Sequence, residues 1–235
     1  AAYTNRENPR ARAFKDRNIP TAPIYNEDGT FFSVDQINGG TYNNPVAEDE
    51  LIMDNTYNYN VLGNTYLQLN LYDGLSFKST LGFDFIINKK NRYVSGQIPT
   101  NFEEEKGGEA NINTQFSKSI LNENTINYLK RIGNHSFTFV SGWTYQTYNR
   151  EGLIASATGF TNDVTTYNAI ETGDPAQLRA SSTETKWTLL SGLYRLNYSF
   201  QGKYLVTISN RHDGSSRLAE GKKWQMFPSA ALAWR

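Results

Sequence analysis

The densest group of polar side chains that could do chemistry lies in one short segment, Arg211–Arg217, which reads Arg-His-Asp-Gly-Ser-Ser-Arg. Guanidinium groups, a carboxylate and two hydroxyls so close together suggest a phosphate-binding loop or a catalytic site. The spacing does not match a P-loop, because no Gly-Lys-Ser/Thr is present and no helix is predicted to follow. We therefore predict a structural turn, in which Asp213 bonds to its own backbone and Gly214 supplies a positive φ.

The remaining ionisable groups give weaker signals for a site. Glu103–Glu105 is a carboxylate cluster of the kind that calcium prefers, but it lacks the spacing of an EF-hand. His135 and His212 are the two histidines, and we interpret both as solvent-facing turn residues without a nearby G-x-S-x-G motif. The chain contains no cysteine, which excludes a thiolate metal site, a cysteine nucleophile and a disulfide framework within it. We predict no catalytic residue, no metal site and no cofactor.

Aromatic side chains in the predicted loops are candidates for contact with a substrate, because their rings could stack on sugar rings. The competing interpretation is ordinary packing within the loops. The candidates are Tyr93, Phe102, Phe160 and Tyr167.

Composition limits the function classes. The 235 residues carry 23 Lys+Arg and 23 Asp+Glu, and this neutral balance argues against a nucleic-acid partner. No apolar run is long enough for a transmembrane helix. The segment 1–9 has no apolar core, so we expect no signal peptide in this chain. Aromatic residues make up 14%, with 15 Tyr and 13 Phe, which favours strands over helices.

A period of two in side-chain polarity is the main signal for secondary structure. In Leu75–Asn88, Phe77, Leu81 and Phe83 share one side while Lys78 and Asp84 share the other. Successive side chains of a strand point to opposite sheet faces, so this pattern predicts a strand. The predicted strands are Asn55–Tyr72, Leu75–Asn88, Ala110–Arg131, His135–Tyr148, Thr185–Phe200, Tyr204–Arg211 and Trp224–Arg235, with a further short strand at Phe31–Ile37.

The connections between these strands alternate in length. Tight turns are predicted at 73–74, 133–134 and 201–202, the first of them a type I′ turn at Asp73-Gly74. Longer loops are predicted at 92–109, 151–182 and 213–223. Long strands with short turns at one end and long loops at the other are typical of an up-and-down outer-membrane β-barrel. We predict an all-β, antiparallel meander of about seven long strands that forms part of such a barrel.

The strand count indicates that the barrel is incomplete in this chain. Bacterial single-chain barrels have an even number of strands and close on themselves. An open sheet in hydrocarbon would leave unpaired backbone groups, which the membrane does not tolerate. We therefore expect the edges Asn55–Tyr72 and Trp224–Arg235 to pair with strands outside this chain.

The last predicted strands carry a family resemblance. The turn R-x-D-G-S-S-R, followed by Trp224, Phe-Pro-Ser and a final Ala-Trp-Arg, resembles the SusC/RagA family of TonB-linked outer-membrane transporters. Pro20–Tyr25, Asn44–Ala47 and Gly74–Ser79 agree more weakly. The motif residues, for which a structural role is predicted, are Arg211, Asp213, Gly214, Ser215, Ser216, Arg217, Trp224, Phe227, Pro228 and Ser229.

The resemblance implies a transporter in the outer membrane of a Gram-negative bacterium that imports a large nutrient, an oligosaccharide or a peptide. It also implies a SusD-like lipoprotein lid, and TonB acting through a plug region that we do not find in this chain. On that basis 1–54 would be an extracellular loop region with a short strand, and 55–235 a transmembrane barrel segment. Two alternatives stay open from the pattern alone: a soluble glycan-binding β-sandwich, and a secreted glycosidase domain.

Overall fold

The computed structural model describes residues 2–7, 23–32, 44–99 and 106–235. One sheet contains eight strands in their sequence order, from β1 to β8. This arrangement confirms the predicted all-β, up-and-down meander. The elements are β1 (Ala2–Glu7), α1 (Pro45–Leu51), β2 (Ile52–Tyr72), β3 (Leu75–Val94), β4 (Gly108–Ile132), β5 (His135–Phe160), β6 (Arg179–Phe200), β7 (Tyr204–Ser215) and β8 (Trp224–Trp234), with 3₁₀ helices at Thr166–Thr172 and Pro175–Gln177.

The N-terminal region differs from the prediction of a loop with a strand near residue 31. Strand β1 pairs antiparallel with β2 from Ala2↔Asn60 to Glu7↔Asn55, so it covers part of the edge that was expected to pair elsewhere. The predicted strand Phe31–Ile37 lies mostly outside the described residues, and Phe31 forms an isolated bridge with Tyr25. The polar segment 2–7 lacks the apolar alternation that marks the other strands; its pairing partner determines its conformation.

Helix α1 was also missed, because 1–54 was interpreted as a loop region with one short strand. The Asn44 side chain accepts a hydrogen bond from the backbone N–H of Val46 at 3.0 Å, which makes Asn44 the N-cap. Pro45 follows in the first turn, where a missing N–H costs nothing. The same two residues can end a strand or begin a helix, and the cap geometry decides between them.

The long connections are shorter than predicted because the strands continue through segments that lack a period of two in side-chain polarity. Strand β5 extends to Phe160 and β6 begins at Arg179, so the loop spans 161–178 rather than 151–182. The other two loops span 95–107 and 216–223. Where apolar and polar residues do not alternate, as at the end of β5, or where nearly all residues are polar, as at the start of β6, the sequence looks like a loop although the backbone ladder continues.

The tight turns lie where they were predicted, with one difference in type. A type I′ turn needs positive φ at both central residues, and Gly74 has it (77°) while Asp73 does not. The turn at 201–202 has both, with Gln201 at 53° and Gly202 at 66°. Neighbouring turns are joined by backbone hydrogen bonds, from Leu129 N–H to the Gly74 carbonyl at 2.7 Å and from Gln201 N–H to the Asn134 carbonyl at 2.8 Å. These three turns therefore lie together, as predicted.

The chain divides into two compact units. Unit 1 comprises 1–60, 86–116 and 151–183, and unit 2 comprises 61–85, 117–150 and 184–235. The apolar core of unit 1 consists of Tyr93, Ala110, Ala157 and Phe160, with Tyr167 and Ile170 packed against it. Unit 2 lies entirely within the described residues and contains no buried hydrophobic side chain. Among the described residues, no helix has the length and apolar character needed to cross a membrane.

Candidate functional site

Aromatic contacts identify one side of the sheet in unit 2, which we call the apolar side. The ring of Phe83 fills the space above Gly63, where a Cβ would overlap it. Further along the same strand, Phe77 packs near Trp143 with ring centroids 6.3 Å apart. Because side chains alternate, Leu67, Leu69 and Leu71 of β2 share this side with Gly63. Solvent-exposed members include Leu67, Leu69, Leu71, Leu81, Trp143, Ile208 and Leu232, all at least 42% exposed.

The opposite side, which we call the polar side, carries hydrogen-bonding and charged groups. Lys78 lies over the ring of Tyr66, with its Nζ 4.5 Å from the ring centroid. Gln146 donates from Nε2 to the Ser119 hydroxyl at 3.4 Å. The structure thus separates Phe77 from its neighbour Lys78, as the alternation in β3 predicted.

A groove of about 430 Å³ lies on the polar side of unit 2. Its lining includes Leu62, Asn64, Asp84, Ser119, Leu121 and Gln146. One carboxylate oxygen of Asp84, Oδ1, is buried and has no hydrogen-bond partner among the described residues. Amide, hydroxyl and carboxylate groups in one groove can donate and accept hydrogen bonds from a polar ligand.

A second, smaller cavity of about 190 Å³ lies next to the family motif. Glu123, Thr125, Ser191 and Arg211 line it with a carboxylate, two hydroxyls and a guanidinium. The Nε of Arg211 lies 2.8 Å from both carboxylate oxygens of Asp213, and its Nη2 donates to the Ser191 hydroxyl at 3.4 Å. The predicted motif residues Arg211 and Asp213 are therefore an ion pair on the wall of a polar cavity.

This geometry corrects the predicted turn at Asp213-Gly214. Both residues lie inside β7 and pair on two sides, Asp213 with Ser191 and Gln225, and Gly214 with Leu190 and Trp224. Gly214 has no positive φ, and the Asp213 carboxylate binds Arg211 rather than its own backbone. The predicted turn is therefore wrong. Asp-Gly is typical of turns, but here Asp213 pairs with Arg211 and Gly214 leaves room for the Trp224 ring.

The two serines of the motif extend the pairing between β6 and the end of β7. The backbone N–H of Ser216 donates to the Thr188 carbonyl at 3.0 Å, and the Thr188 N–H donates to the Ser216 hydroxyl at 2.8 Å. The Ser215 hydroxyl accepts from the backbone N–H of Arg217 at 3.3 Å. These contacts end the ladder in an ordered turn.

The Phe-Pro-Ser stretch of β8 pairs with the Arg211 region of β7. Phe227 lies opposite Arg211, Pro228 opposite Asn210, and Ser229 opposite Ser209. The hydroxyls of Ser209 and Ser229 lie 2.7 Å apart, within hydrogen-bonding distance. Pro228 cannot donate to the ladder, so the side-chain bond beside it is a second link between the strands at that point.

Both histidines lie within strands and contact aromatic rings, which the sequence analysis missed. His212 lies in β7 with its ring centroid 4.9 Å from that of Trp224. The His135 Nδ1 lies 2.8 Å from the Tyr198 hydroxyl, and its ring lies near those of Phe137 and Phe200. His135 is solvent-exposed as predicted, but it belongs to an aromatic cluster.

The proposed loop aromatics are not presented as expected. Tyr93 and Phe160 lie in strands, are buried, and form an edge-to-face pair at 5.6 Å. The Tyr93 hydroxyl donates to Asp163 at 2.8 Å. Tyr167 packs against this pair, and its hydroxyl accepts from Asn55 Nδ2 at 3.3 Å. The expected exposure of Tyr93 and Phe160 is wrong, and the predicted alternative of packing describes them.

Two other candidates from the sequence, Phe102 and the cluster Glu103–Glu105, fall outside the described residues. Within the described ranges, no group of three or more His, Cys, Asp or Glu side chains is arranged to hold a metal ion.

Comparison with known proteins identifies the relatives of this strand arrangement. TonB-dependent receptor P26 of Formosa agariphila is 36% identical over 218 residues, which cover 92% of this chain and 22% of that protein. TonB-dependent receptor SusC of Bacteroides thetaiotaomicron is 28% identical over 197 residues, 82% of this chain and 18% of that protein. The resemblance to the SusC/RagA family is confirmed. No protein-family model matches the chain.

Solved structures share the fold of this chain. A RagAB peptide importer in an open-open state superposes with a TM-score of 0.70 at 22% identity, covering 88% of this chain and 23% of that one. The RagAB peptide transporter gives a TM-score of 0.68 at 24% identity, covering 76% and 20%. The chain spans about a fifth of the length of the SusC/RagA relatives that it matches.

Proposed function

We propose that this chain is a transmembrane segment of a TonB-dependent importer in the outer membrane of a Gram-negative bacterium. The apolar side of unit 2 contacts lipid, and the polar side faces the interior through which a nutrient passes. The chain itself carries no catalytic role in this proposal.

The observation that carries the proposal concerns unit 2, where the sheet has large apolar side chains on one side and no apolar core. A soluble β-sandwich would bury one face of this sheet against a second sheet. In unit 2, which is fully described, no hydrophobic side chain is buried, and Leu67, Ile208 and Leu232 are 58%, 54% and 82% exposed. Lipid provides an apolar environment for such a row, whereas water does not.

The nutrient in this proposal is an oligosaccharide or a peptide, and a SusD-like lipoprotein and TonB are the partners. Support for a peptide comes from two structures of RagAB, which are titled as a peptide transporter and a peptide importer. The oligosaccharide is the other nutrient that the family resemblance implies. The groove around Asn64, Asp84 and Gln146 fits either class, because sugar hydroxyls and peptide amides both exchange hydrogen bonds with amides and carboxylates. Phe102 and Tyr167 stay candidates for substrate contact.

Cysteine accessibility tests the assignment of the two sides. The segment has no native cysteine, so single cysteines at Gln146 and Leu81 can be compared in the full-length receptor in outer membranes. We expect a water-soluble maleimide to label Gln146→Cys, and to leave Leu81→Cys unlabelled until detergent is added. Equal labelling of both positions without detergent would contradict the proposal.

Protection from labelling tests the substrate class. Asn64→Cys lies in the groove, whereas Gln68→Cys is exposed on the same polar side outside the groove lining and serves as the matched control. We expect either an oligosaccharide mixture or a peptide mixture to slow maleimide labelling at position 64. Protection by neither mixture would remove the groove from the nutrient path.

A further inference from the structure

A row of aromatic and basic side chains follows the tight-turn end of the apolar side in unit 2. We call it the basic rim and define it by Lys130, His135, Tyr198, Lys203, Tyr204 and Trp234. Lys130, His135, Lys203, Tyr204 and Trp234 are solvent-exposed, and Trp234 is 75% exposed. The proposed import function uses none of these side chains.

Lys203 of the basic rim lies close to two aromatic rings. Lys203 Nζ lies 5.6 Å from the ring centroid of Tyr204 and 5.8 Å from that of Trp234. These two aromatic residues are direct cross-strand partners. Aromatic faces attract the ammonium group, so Lys203 stays beside the rings rather than moving freely in solvent.

Lys130 of the basic rim lies in the same row because of the register between β4 and β5. The two-residue turn at Gly133-Asn134 pairs Ile132 with His135, so Lys130 shares its side of the sheet with Phe137. Phe137 and His135 both contact Tyr198, with ring centroids 5.0 Å and 5.9 Å away. The row therefore continues from β4 through β5 and β6.

Backbone hydrogen bonds make the rim continuous across its turns. The Gln201 N–H donates to the Asn134 carbonyl at 2.8 Å, and the Arg235 N–H donates to the Lys203 carbonyl at 3.0 Å. The rim thus belongs to adjacent strand ends at one level of unit 2, rather than to scattered surface positions.

The segments that carry the rim residues are positively charged, although the chain as a whole is neutral. Segments 126–139, 196–206 and 230–235 contain four Lys and Arg residues and no Asp or Glu: Lys130, Arg131, Lys203 and Arg235. Asp73, in the tight turn next to Lys130, is the acidic residue nearest to them in the described turns.

We propose that the basic rim binds the phosphate groups of anionic glycerophospholipids in the membrane leaflet at the tight-turn end. This inference rests on the proposed function, because it requires the apolar side to face lipid. Tyr and Trp rings are enriched where acyl chains meet headgroups, and a lysine there places its ammonium at phosphate level. Each basic side chain near an anionic membrane surface strengthens binding about fivefold.

Native mass spectrometry of the purified full-length receptor tests the proposal. The protein is incubated in detergent with phosphatidylglycerol or with phosphatidylcholine, and the retained lipids are counted for the wild type and for Lys130→Gln/Lys203→Gln. The matched control is Lys222→Gln/Lys223→Gln, which removes two exposed lysines from the 216–223 connection. We expect only the rim variant to lose phosphatidylglycerol, by about fivefold for each lysine removed, with retention of phosphatidylcholine unchanged. Equal retention of phosphatidylglycerol by all three proteins would overturn the proposal.

A second measurement separates failure of this inference from failure of the proposed function. Brominated lipids quench tryptophan fluorescence on contact, and the signal of Trp234 is isolated by comparison with Trp234→Phe. Quenching by brominated phosphatidylglycerol but more weakly by brominated phosphatidylcholine supports the rim. Equal quenching by both lipids would overturn the rim while leaving the membrane assignment intact, and quenching by neither would contradict the proposed function as well.

Discussion

The six-membered ring of Trp224 occupies the space that a side chain at Gly214 would need. The two residues pair directly between β7 and β8, and a Cβ on Gly214 would lie 2.7 Å from Trp224 Cε3. This contact explains why glycine and tryptophan occur together in the motif, although Gly214 needs no unusual backbone conformation.

Replacing Gly214 with alanine should therefore destabilise the full-length receptor. The added methyl group must displace the Trp224 ring, and such overpacking costs about 1–3 kcal/mol. Gly192→Ala is the matched control, because its new Cβ would meet no atom closer than 3.9 Å. Urea unfolding of both variants in detergent checks the prediction, and an equal midpoint for the two would show that the ring contact does not matter.

An arginine should be tolerated on one side of β3 and not on the other. Leu81 is 45% exposed on the apolar side, and Thr80 lies on the polar side. A positive charge facing lipid costs about 2–4 kcal/mol near the bilayer midplane, so Leu81→Arg should lower the free energy of unfolding by that amount. Thr80→Arg should change it much less. Equal losses in unfolding experiments in lipid vesicles would contradict the assignment of the two sides.

The strands were predictable from sequence where one side is apolar and the other polar. In Leu75–Asn88 every second residue except Ser79 is apolar, and the sides that this implies match the contacts of Phe83 and Lys78. The ends of β5 and β6 were not predictable in this way. The end of β5 mixes apolar and polar residues without a period of two, and the start of β6 is almost entirely polar. Neither segment alternates, although the strands continue to Phe160 and from Arg179.

The candidate site was harder to predict than the fold, because the type of a residue does not show which other side chain it will contact. Arg211 and Asp213 were placed in one motif that was interpreted as a turn, whereas they form an ion pair within a strand. The groove around Asn64 and Gln146 was not predicted, since its residues come from separate strands with no common motif. Register between strands brings such residues together, and a single sequence does not specify that register.

A glycine at the β6–β7 turn should be needed for its backbone alone. Gly202 has a φ of 66°, and a Cβ there would meet no atom within 4 Å. Alanine in this left-handed conformation costs about 1–2 kcal/mol, so Gly202→Ala should lower the unfolding midpoint. The control is Gly82→Ala, which has an ordinary φ and a nearest atom at 3.7 Å. A loss at position 82 as large as that at 202 would show that backbone strain is not the cause.

Asp163 should hold the 161–178 connection against the end of β3. Its carboxylate accepts hydrogen bonds from the Tyr93 hydroxyl at 2.8 Å and from the Ser95 hydroxyl at 2.7 Å. Hydrogen bonds to a charged group contribute about 1.5–3 kcal/mol, and Asp163→Ala would also leave the buried Tyr93 hydroxyl without this acceptor. We expect faster hydrogen–deuterium exchange across 161–178 in the full-length receptor.

The control for this prediction lies one residue away. Val164 is 87% exposed, so Val164→Ser changes the same connection without removing a contact of Asp163. Hydrogen–deuterium exchange across 161–178 in Val164→Ser should then match the wild type. Exchange in the turns at 133–134 and 201–202 should be unchanged in both variants, because the backbone hydrogen bonds of those turns do not involve Asp163. Wild-type exchange in Asp163→Ala would show that the apolar packing of Phe160 and Tyr167 holds the connection by itself.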